Sequence, residues 1–552
     1  MKIEETSKPF VNLLYKYTLL SQVGSSTITL DKAIVSKQLS SFKHSDDKLK
    51  LVKVMAGVGM TACAGYSLYH VLESMEDGVK ALSKLRAGEP ISTLPWYSLS
   101  DIQNHKDLKS SIWVVFRQGV YDITEFVQMH PGGEIIMKAA GGSIEPFWAM
   151  YGVHLQDEVF ELLESYRIGN ISQEDSKLAA KDIASDPYVM EPVRSPLLKA
   201  TSLKPYNAEP PPSMLVENFL TPSDIFYVRN HLPVPVVDEN SYRLHIEAPR
   251  TQSVSLSLED IKKLPPVTIT AAVMCAGNRR SEMSQVKPVK GLTWGHAAVG
   301  NATWTGARLV DVLKAAGISP DQSLDSADVQ HVHFEGLDMD LARTPYAASI
   351  PATKALDPRG DVILAYEMNG EPLSRDHGAP LRAVVPGVVG ARNVKWLGKV
   401  ILSDHESTSH WQQNDYKGFS PSTDWDTVDF AKSPAIQELP VISAICLPVA
   451  DAKLKLENQQ MEVQGYAWSG GGKAIVRVDV TIDQGRTWHV ANFTGQDSQA
   501  PLTRHWGWTL WRATIPVDPK TKEYSELHML CMMVVSNQCI SVFQYPILAR
   551  VN

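Results

Sequence analysis

Two histidines and one cysteine carry the chemistry this sequence offers. His130 stands in Tyr121-Asp-Ile-Thr-Glu-Phe-Val-Gln-Met-His130-Pro-Gly-Gly133, and His154 follows twenty-four residues later. Imidazole nitrogen is an axial ligand of haem iron. Pro131 fixes the chain just after His130. Gly132 and Gly133 let backbone approach a flat macrocycle closely. Ile135, Ile136, Phe147, Trp148 and Tyr151 lie between the two histidines and would wall an apolar slot. The spacing alone leaves two unrelated surface histidines open. Cys275 lies in Ala272-Val-Met-Cys275-Ala-Gly-Asn-Arg279-Arg280-Ser-Glu-Met283. Cationic neighbours favour the thiolate, a soft ligand for a transition metal. The arginines can fork hydrogen bonds onto an oxyanion. On physics alone, a buried and inert cysteine is the simpler reading.

The surrounding elements must hold these groups. Ile112-Trp-Val-Val-Phe116 reads as a short buried strand, turned by Gln118-Gly119. Residues 171–185 are small and polar, which is linker composition. From 186 to 417 short strands alternate with Gly/Pro turns, and Ala307 to Ala316 reads as a helix. Val476, Val478, Val480 and Ile482 alternate with polar residues, the period of a half-buried strand. Asp483-Gln-Gly485 is its turn, and several such strands after 418 suggest a β-sandwich. No GxGxxG or GxxxxGK[ST] is present, so a Rossmann or P-loop nucleotide site has no support.

Composition narrows the class. The 552 residues predict three to four domains at roughly 150 residues each. The fractions, 44% hydrophobic and 21% charged, are those of a globular protein. A net charge of -8 argues against nucleic-acid binding. Five dispersed cysteines form no disulfide framework or CxxC zinc pattern. The first fifty residues carry eight Lys and no Arg. Val54 to Leu72 then runs nineteen residues without a charged side chain, long enough to span a bilayer but only weakly apolar. Residues 1–92 are read as a targeting region, with membrane contact at most through this leader.

Trp113 to Phe126 together with His130-Pro-Gly-Gly resembles the cytochrome b5 family over about 75 residues. That resemblance implies haem b held by His130 and His154. Cys275-Ala-Gly-Asn-Arg-Arg-Ser-Glu-Met283 resembles the molybdenum-cysteine segment of the sulfite oxidase family. Phe226-Tyr-Val-Arg229-Asn-His231-Leu-Pro, Gly291-Leu-Thr-Trp294, Phe334-Glu-Gly-Leu-Asp338 and Asp376-His377-Gly-Ala-Pro-Leu-Arg382 extend the likeness. Val385 to Trp396 and Ser409 to Phe419 complete it.

The resemblance implies a multidomain α+β protein: leader 1–92, cytochrome b5-like α+β haem domain 93–170, linker 171–185, mixed α+β molybdopterin domain 186–417, and Ig-like β-sandwich dimerisation domain 418–552. It implies Cys275 as the protein ligand to molybdenum, held otherwise by molybdopterin. Phe226, Tyr227, Val228, Arg229, Asn230, His231, Asp338, His377, Arg382, Asn393, Val394 and Lys395 would hold the pterin and its phosphate. Arg229, Arg280, Trp294 and Tyr416 would form the sulfite pocket. The implied reaction is oxidation of sulfite to sulfate, with electrons leaving through the haem to cytochrome c. The implied setting is a homodimer in the mitochondrial intermembrane space.

After His528 the chain departs from that family. The Tyr-Asn-x-Gln-Pro and Trp-Asn-x-Arg-Gly segments are absent, and with them one sulfite-pocket arginine. The tail is expected to lack the family's last strands and to leave a weaker enzyme. Two alternatives follow: a haem electron-transfer protein with an impaired molybdenum domain, and a nitrate reductase-like molybdoenzyme lacking a flavin domain.

Overall fold

The computed structural model describes residues 87–517 apart from 131–132, 181–185, 325–326, 421, 425–426, 451 and 455–457. Beyond them it describes the backbone of strands Glu523–Tyr524, His528–Val535, Gln538–Phe543 and Ala549–Val551. The targeting region, the Val54–Leu72 run and the Pro131-Gly132 step lie outside the described residues. No helix among the described residues is long and apolar enough to cross a membrane.

Strand Ser111–Phe116 alternates its contacts, as a pleated strand must. Ile112, Val114 and Phe116 pack with Trp148, Phe160 and Leu163. Val115 packs on the other face with Ile102 and Ile171. The strand sits in a five-stranded sheet ordered Trp96–Tyr97, Arg167–Ile171, Gly119–Asp122, Ser111–Phe116, Lys106–Asp107. Helices Glu145–Met150 and Asp157–Ser165 cover the first face, and His154 lies in the 3-10 turn Gly152–Leu155 between them. The stretch read as a linker begins with Ile171, the last residue of a strand. It continues as helix Gln173–Ala179, because the Ser172 side chain caps the Asp175 N–H at 3.0 Å.

The central part holds two larger sheets. One orders Val254–Ser257, Arg243–Glu247, Leu397–Ser403, His331–Met339 and Pro345–Pro351. The other orders Pro266–Met274, Val299–Arg308, Ile363–Met368 and Glu371–Pro372, with Arg382–Val384 also paired to Ile363–Met368. The helix expected over Ala307 to Ala316 runs from Leu309 to Ala315. Ala307 and Arg308 pair with Leu364 and Ile363, so the sheet has already taken their backbone groups.

Two four-stranded sheets follow: Ile442–Leu447, Gln460–Trp468, Thr509–Pro516, Asn492–Gly495, and His489–Val490, Ile475–Thr481, His528–Val535, Gln538–Phe543. Val463, Trp511 and Ile515 of the first share one core with Ile475, Val478 and Val480 of the second, which makes the sandwich. Val476 is exposed, against its expected place in the alternation. The register shifts between Ile475 and Arg477, and such a bulge turns one residue out of the pattern. The tail does supply strands, contrary to expectation. Met529 to Val535 and Cys539 to Phe543 are rich in β-branched and apolar residues, and His528–Val535 pairs with Ile475–Thr481 on one side and Gln538–Phe543 on the other.

Asp361 ties the sandwich to the central sheets. It is 3% exposed and accepts from Arg504, Arg308 and the Trp506 indole. Burial alone would raise its pKa, but these bonds outweigh it and hold the carboxyl below its usual range. Asp361→Ala is expected to destabilise the folded chain by about 1–3 kcal/mol, since it leaves the part-exposed Arg504 and Arg308 and the buried Trp506 indole N–H without their acceptor. The group's pKa is lowered on folding, so its contribution is complete above the usual carboxylate range. It fades as pH falls through the lowered value. Urea unfolding of the two forms at neutral and acid pH checks both statements.

Candidate active site and haem slot

Strand Pro266–Met274 delivers Cys275 to the floor of a cavity that Phe226, Arg229, Arg382 and Tyr416 also line. The chain then turns sharply. Arg279 takes a left-handed φ of 68° before helix Arg280–Val286 begins. Gly277 donates its N–H to Cys275 Sγ at 3.3 Å and fixes the sulfur's position. A Cβ on Gly277 would lie 2.6 Å from Trp294 and 3.0 Å from the Arg280 guanidinium, so only glycine fits that turn. Arg280 also donates to the Leu292 carbonyl at 2.8 Å. Trp294 and Arg280 therefore brace the cysteine loop.

Of the residues expected to hold pterin or sulfite, eleven line this cavity with Cys275: Phe226, Tyr227, Arg229, His231, Asp338, His377, Arg382, Asn393, Val394, Lys395 and Tyr416. Val228 does not; its side chain packs with Leu198 and Ala208. Asn230 stands behind the wall, accepting from the Lys395 ammonium and donating to Asp376 at 3.1 Å. Arg280 and Trp294 are likewise not among the lining residues. Asn393 spends its side chain on the loop, accepting from Val385 N at 2.7 Å and donating to Val389 O at 3.1 Å.

The charges are unbalanced. Arg229, Arg382 and Lys395 face a single carboxyl, Asp338, among the lining residues. Arg382 is 5% exposed and donates to the carbonyls of His377 and Asn393, both at 3.0 Å. Burial pushes its pKa down to about 10. Burial also takes Lys395 down to about 7, against the pull of Asp376. Asp338 is driven up to about 7 by burial, and its Oδ1 has no hydrogen-bond partner. His377 is held near 4 by burial and keeps its ring in place through Ser223 O at 2.9 Å. Three cations against one lining carboxyl, which itself has an unpaired oxygen, fit a phosphorylated ligand with N–H groups. The donor set thus fits molybdopterin, with Cys275 as the candidate protein ligand to its metal.

Several members of the site were not foreseen. Tyr346 stacks on His231 with ring centroids 4.3 Å apart. Asn207 accepts from Arg229 at 3.2 Å and from Asn230 N at 3.0 Å. Arg194 holds Asp376 by two bonds of 2.8 and 2.9 Å. Only the Asp376 neighbour of His377 carried a local signal, a charged residue inside a matched segment. Arg382→Gln is expected to lower bound pterin strongly and leave the haem spectrum unchanged. Losing one partner of a buried charge pair costs about 2–5 kcal/mol, or about 30- to 4000-fold in affinity. Pterin fluorescence after oxidative release measures it.

The haem slot is formed by the other constellation. The rings of His130 and His154 face each other, centroids 6.2 Å apart and planes within 6°. That leaves room for one metal ion between them. His154 Nδ1 lies 3.1 Å from the Tyr151 carbonyl, which places the proton there and leaves Nε2 bare for a metal. Burial and the neighbouring His130 hold its pKa near 4, so the ring is neutral. Ile123, Phe126, Ile136, Phe147 and Leu163 wall the slot. Its far side reaches Arg229, His231, His410 and Asp415 of the central part. Lys138 bridges the two parts, donating to Asp340 at 2.5 Å and Thr344 at 2.9 Å.

Comparison with known proteins agrees with this division. Residues 98–172 match the cytochrome b5-like heme/steroid binding domain, 231–411 the oxidoreductase molybdopterin binding domain, and 433–532 the Mo-co oxidoreductase dimerisation domain. The chain is 52% identical over 463 residues to a mitochondrial sulfite oxidase of Drosophila melanogaster, covering 84% of this chain and 79% of that protein. It is 53% identical over 440 residues to the mitochondrial sulfite oxidase of Homo sapiens, covering 79% and 78%. Among solved structures it is similar to the sulfane dehydrogenase SoxCD from Paracoccus pantotrophus, with a TM-score of 0.50 at 26% identity, covering 65% of this chain and 80% of that one.

Proposed function

The chain belongs to the sulfite oxidase family, and from that membership and the cavity around Cys275 we propose how its residues divide the work. The protein is a molybdenum-dependent oxidoreductase that uses molybdenum-molybdopterin and haem b and oxidises sulfite to sulfate. It forms a homodimer through its C-terminal domain, and it is mitochondrial. The observation that carries the site assignment is the cationic cavity closed around one buried thiol.

Molybdenum in its pterin, when bound, supplies a two-electron acceptor beside Cys275. Arg382 and Lys395 hold the pterin phosphate, with His377 fixed beside them. Asp338 accepts from the pterin ring. Arg229 draws the sulfite dianion in and keeps the sulfate product oriented, and Arg280 and Trp294 shape the floor beneath it. Tyr416 offers its hydroxyl to the anion or to the water consumed. His130 and His154 would hold haem between their facing rings, and the haem would supply one-electron transfer.

The domains divide at 93–170, 186–417 and 418–552, with 1–92 as a leader that directs the protein to the intermembrane space. The electron acceptor is cytochrome c. Sulfite added to purified holoprotein under anaerobic conditions is expected to bleach the oxidised haem spectrum and yield the reduced one. A haem that stays oxidised in fully molybdenum-loaded protein favours the alternative of an impaired molybdenum domain. N-terminal sequencing of the mature protein tests the leader, where a mature form beginning at Met1 refutes it.

A further inference from the structure

The phenol of Tyr416 has two polar neighbours. Arg229 Nη2 donates to it at 3.3 Å, and His231 Nε2 lies 2.5 Å away. Guanidinium has donors only, so Arg229 occupies one oxygen lone pair and leaves the phenol proton able to point at the imidazole. In the tautomer with its hydrogen on Nδ1, His231 accepts that proton at Nε2. The ring is clamped by the stack on Tyr346 and by the edge of Trp411, centroids 5.9 Å away. Burial, with Arg229, Lys395 and His410 nearby, keeps it neutral and ready to accept. His231 also lines both cavities, the one around Cys275 and the one that runs to the haem slot. Family likeness counts it with the pterin-holding residues, yet its Nε2 is committed to Tyr416.

We propose that His231 carries a proton from Tyr416 to the haem-side cavity, so that proton and electrons leave the molybdenum site in the same direction. The proposal rests on the sulfite-oxidising reading above. Sulfite and one water become sulfate, two protons and two electrons. Molybdenum and haem, when bound, would take up the two electrons. For one of the two protons, the O–H of Tyr416 gives its hydrogen to His231 Nε2, while its oxygen takes a hydrogen from the water being consumed. His231 then releases its Nδ1 hydrogen into the second cavity, whose wall carries His410 and Asp415. The phenol is restored by the hydrogen it takes from water, while the ring is left with its hydrogen on Nε2; it regains its starting tautomer by exchange with water before the next turnover, and the second proton passes directly to water.

The test uses the full-length holoprotein with His231→Gln and His231→Ala. The glutamine keeps an acceptor for Tyr416 but cannot relay a proton. Bound pterin and the oxidised haem spectrum are expected to match wild type in both variants. Sulfite-driven haem reduction is expected to slow about 10²-fold, the scale of a lost acid–base group, with a larger solvent deuterium isotope effect. Added imidazole should restore part of the rate to His231→Ala and none to His231→Ala/Tyr416→Phe. Pterin content that falls in step with activity overturns the proposal in favour of a pterin-holding role. So does an unchanged rate, or a slow variant with neither isotope effect nor imidazole rescue. If wild-type haem is not reduced by sulfite, the functional reading itself fails, and that control separates the two failures.

Discussion

His154→Ala is expected to lose the six-coordinate low-spin haem spectrum completely. The native ring has one task left to it. Its Nδ1 is bound to the Tyr151 carbonyl, and its plane is parallel to His130 across a gap for a metal. Trp148 stacks on it with centroids 5.5 Å apart and holds it from behind. Alanine removes the axial nitrogen and no neighbouring side chain is set to replace it at that height. Haem held only by His130 and the apolar walls becomes five-coordinate or dissociates. The molybdenum part lies on other elements, so its pterin content should stay at the wild-type level. The optical and electron paramagnetic spectra, read with haem and pterin content on one sample, decide it. An unchanged low-spin spectrum would end the assignment of His154.

Cys275→Ser has the second large effect, on the other cofactor. Many residues spread over several loops are set to hold the pterin, and Arg382, Lys395 and Asp338 come from segments far from residue 275. One atom, the Cys275 sulfur, is the proposed ligand to the metal from the protein side. Serine is smaller and fits without disturbing the Gly277 turn. Its oxygen is a hard donor where a soft thiolate stood. Pterin content should therefore persist while sulfite-driven haem reduction falls by at least about 10²-fold, since even outer partners of metal sites cost 10- to 100-fold. Activity near wild type in a pterin-loaded variant would show that Cys275 is not the ligand.

Much of this was legible because it is local. The haem pair lies within one short unit, and the cysteine with its arginines lies within one turn. Short-range order of that kind survives in the residue string. The errors also have local causes. Ala307 and Arg308 look helical by composition, but sheet partners more than fifty residues away hold them extended. Val476 was misplaced because a bulge breaks the alternation, and a bulge leaves no mark in polarity alone.

By itself the residue string determined which groups can do chemistry: two imidazoles for one iron, a thiol beside arginines for a second metal, and the order of the domains that carry them. Only the tertiary structure decided which of those groups act on one another. Tyr416 reaches His231 across 185 residues, and Arg194 reaches Asp376 across 182. Tyr346 joins them from a strand of a separate sheet. No period or spacing encodes such meetings, because they depend on how sheets pack and on which side chains burial leaves without water. Burial is also what turns His231 from an ordinary histidine into a neutral acceptor, and Lys395 from a surface-like ammonium into one that titrates near 7.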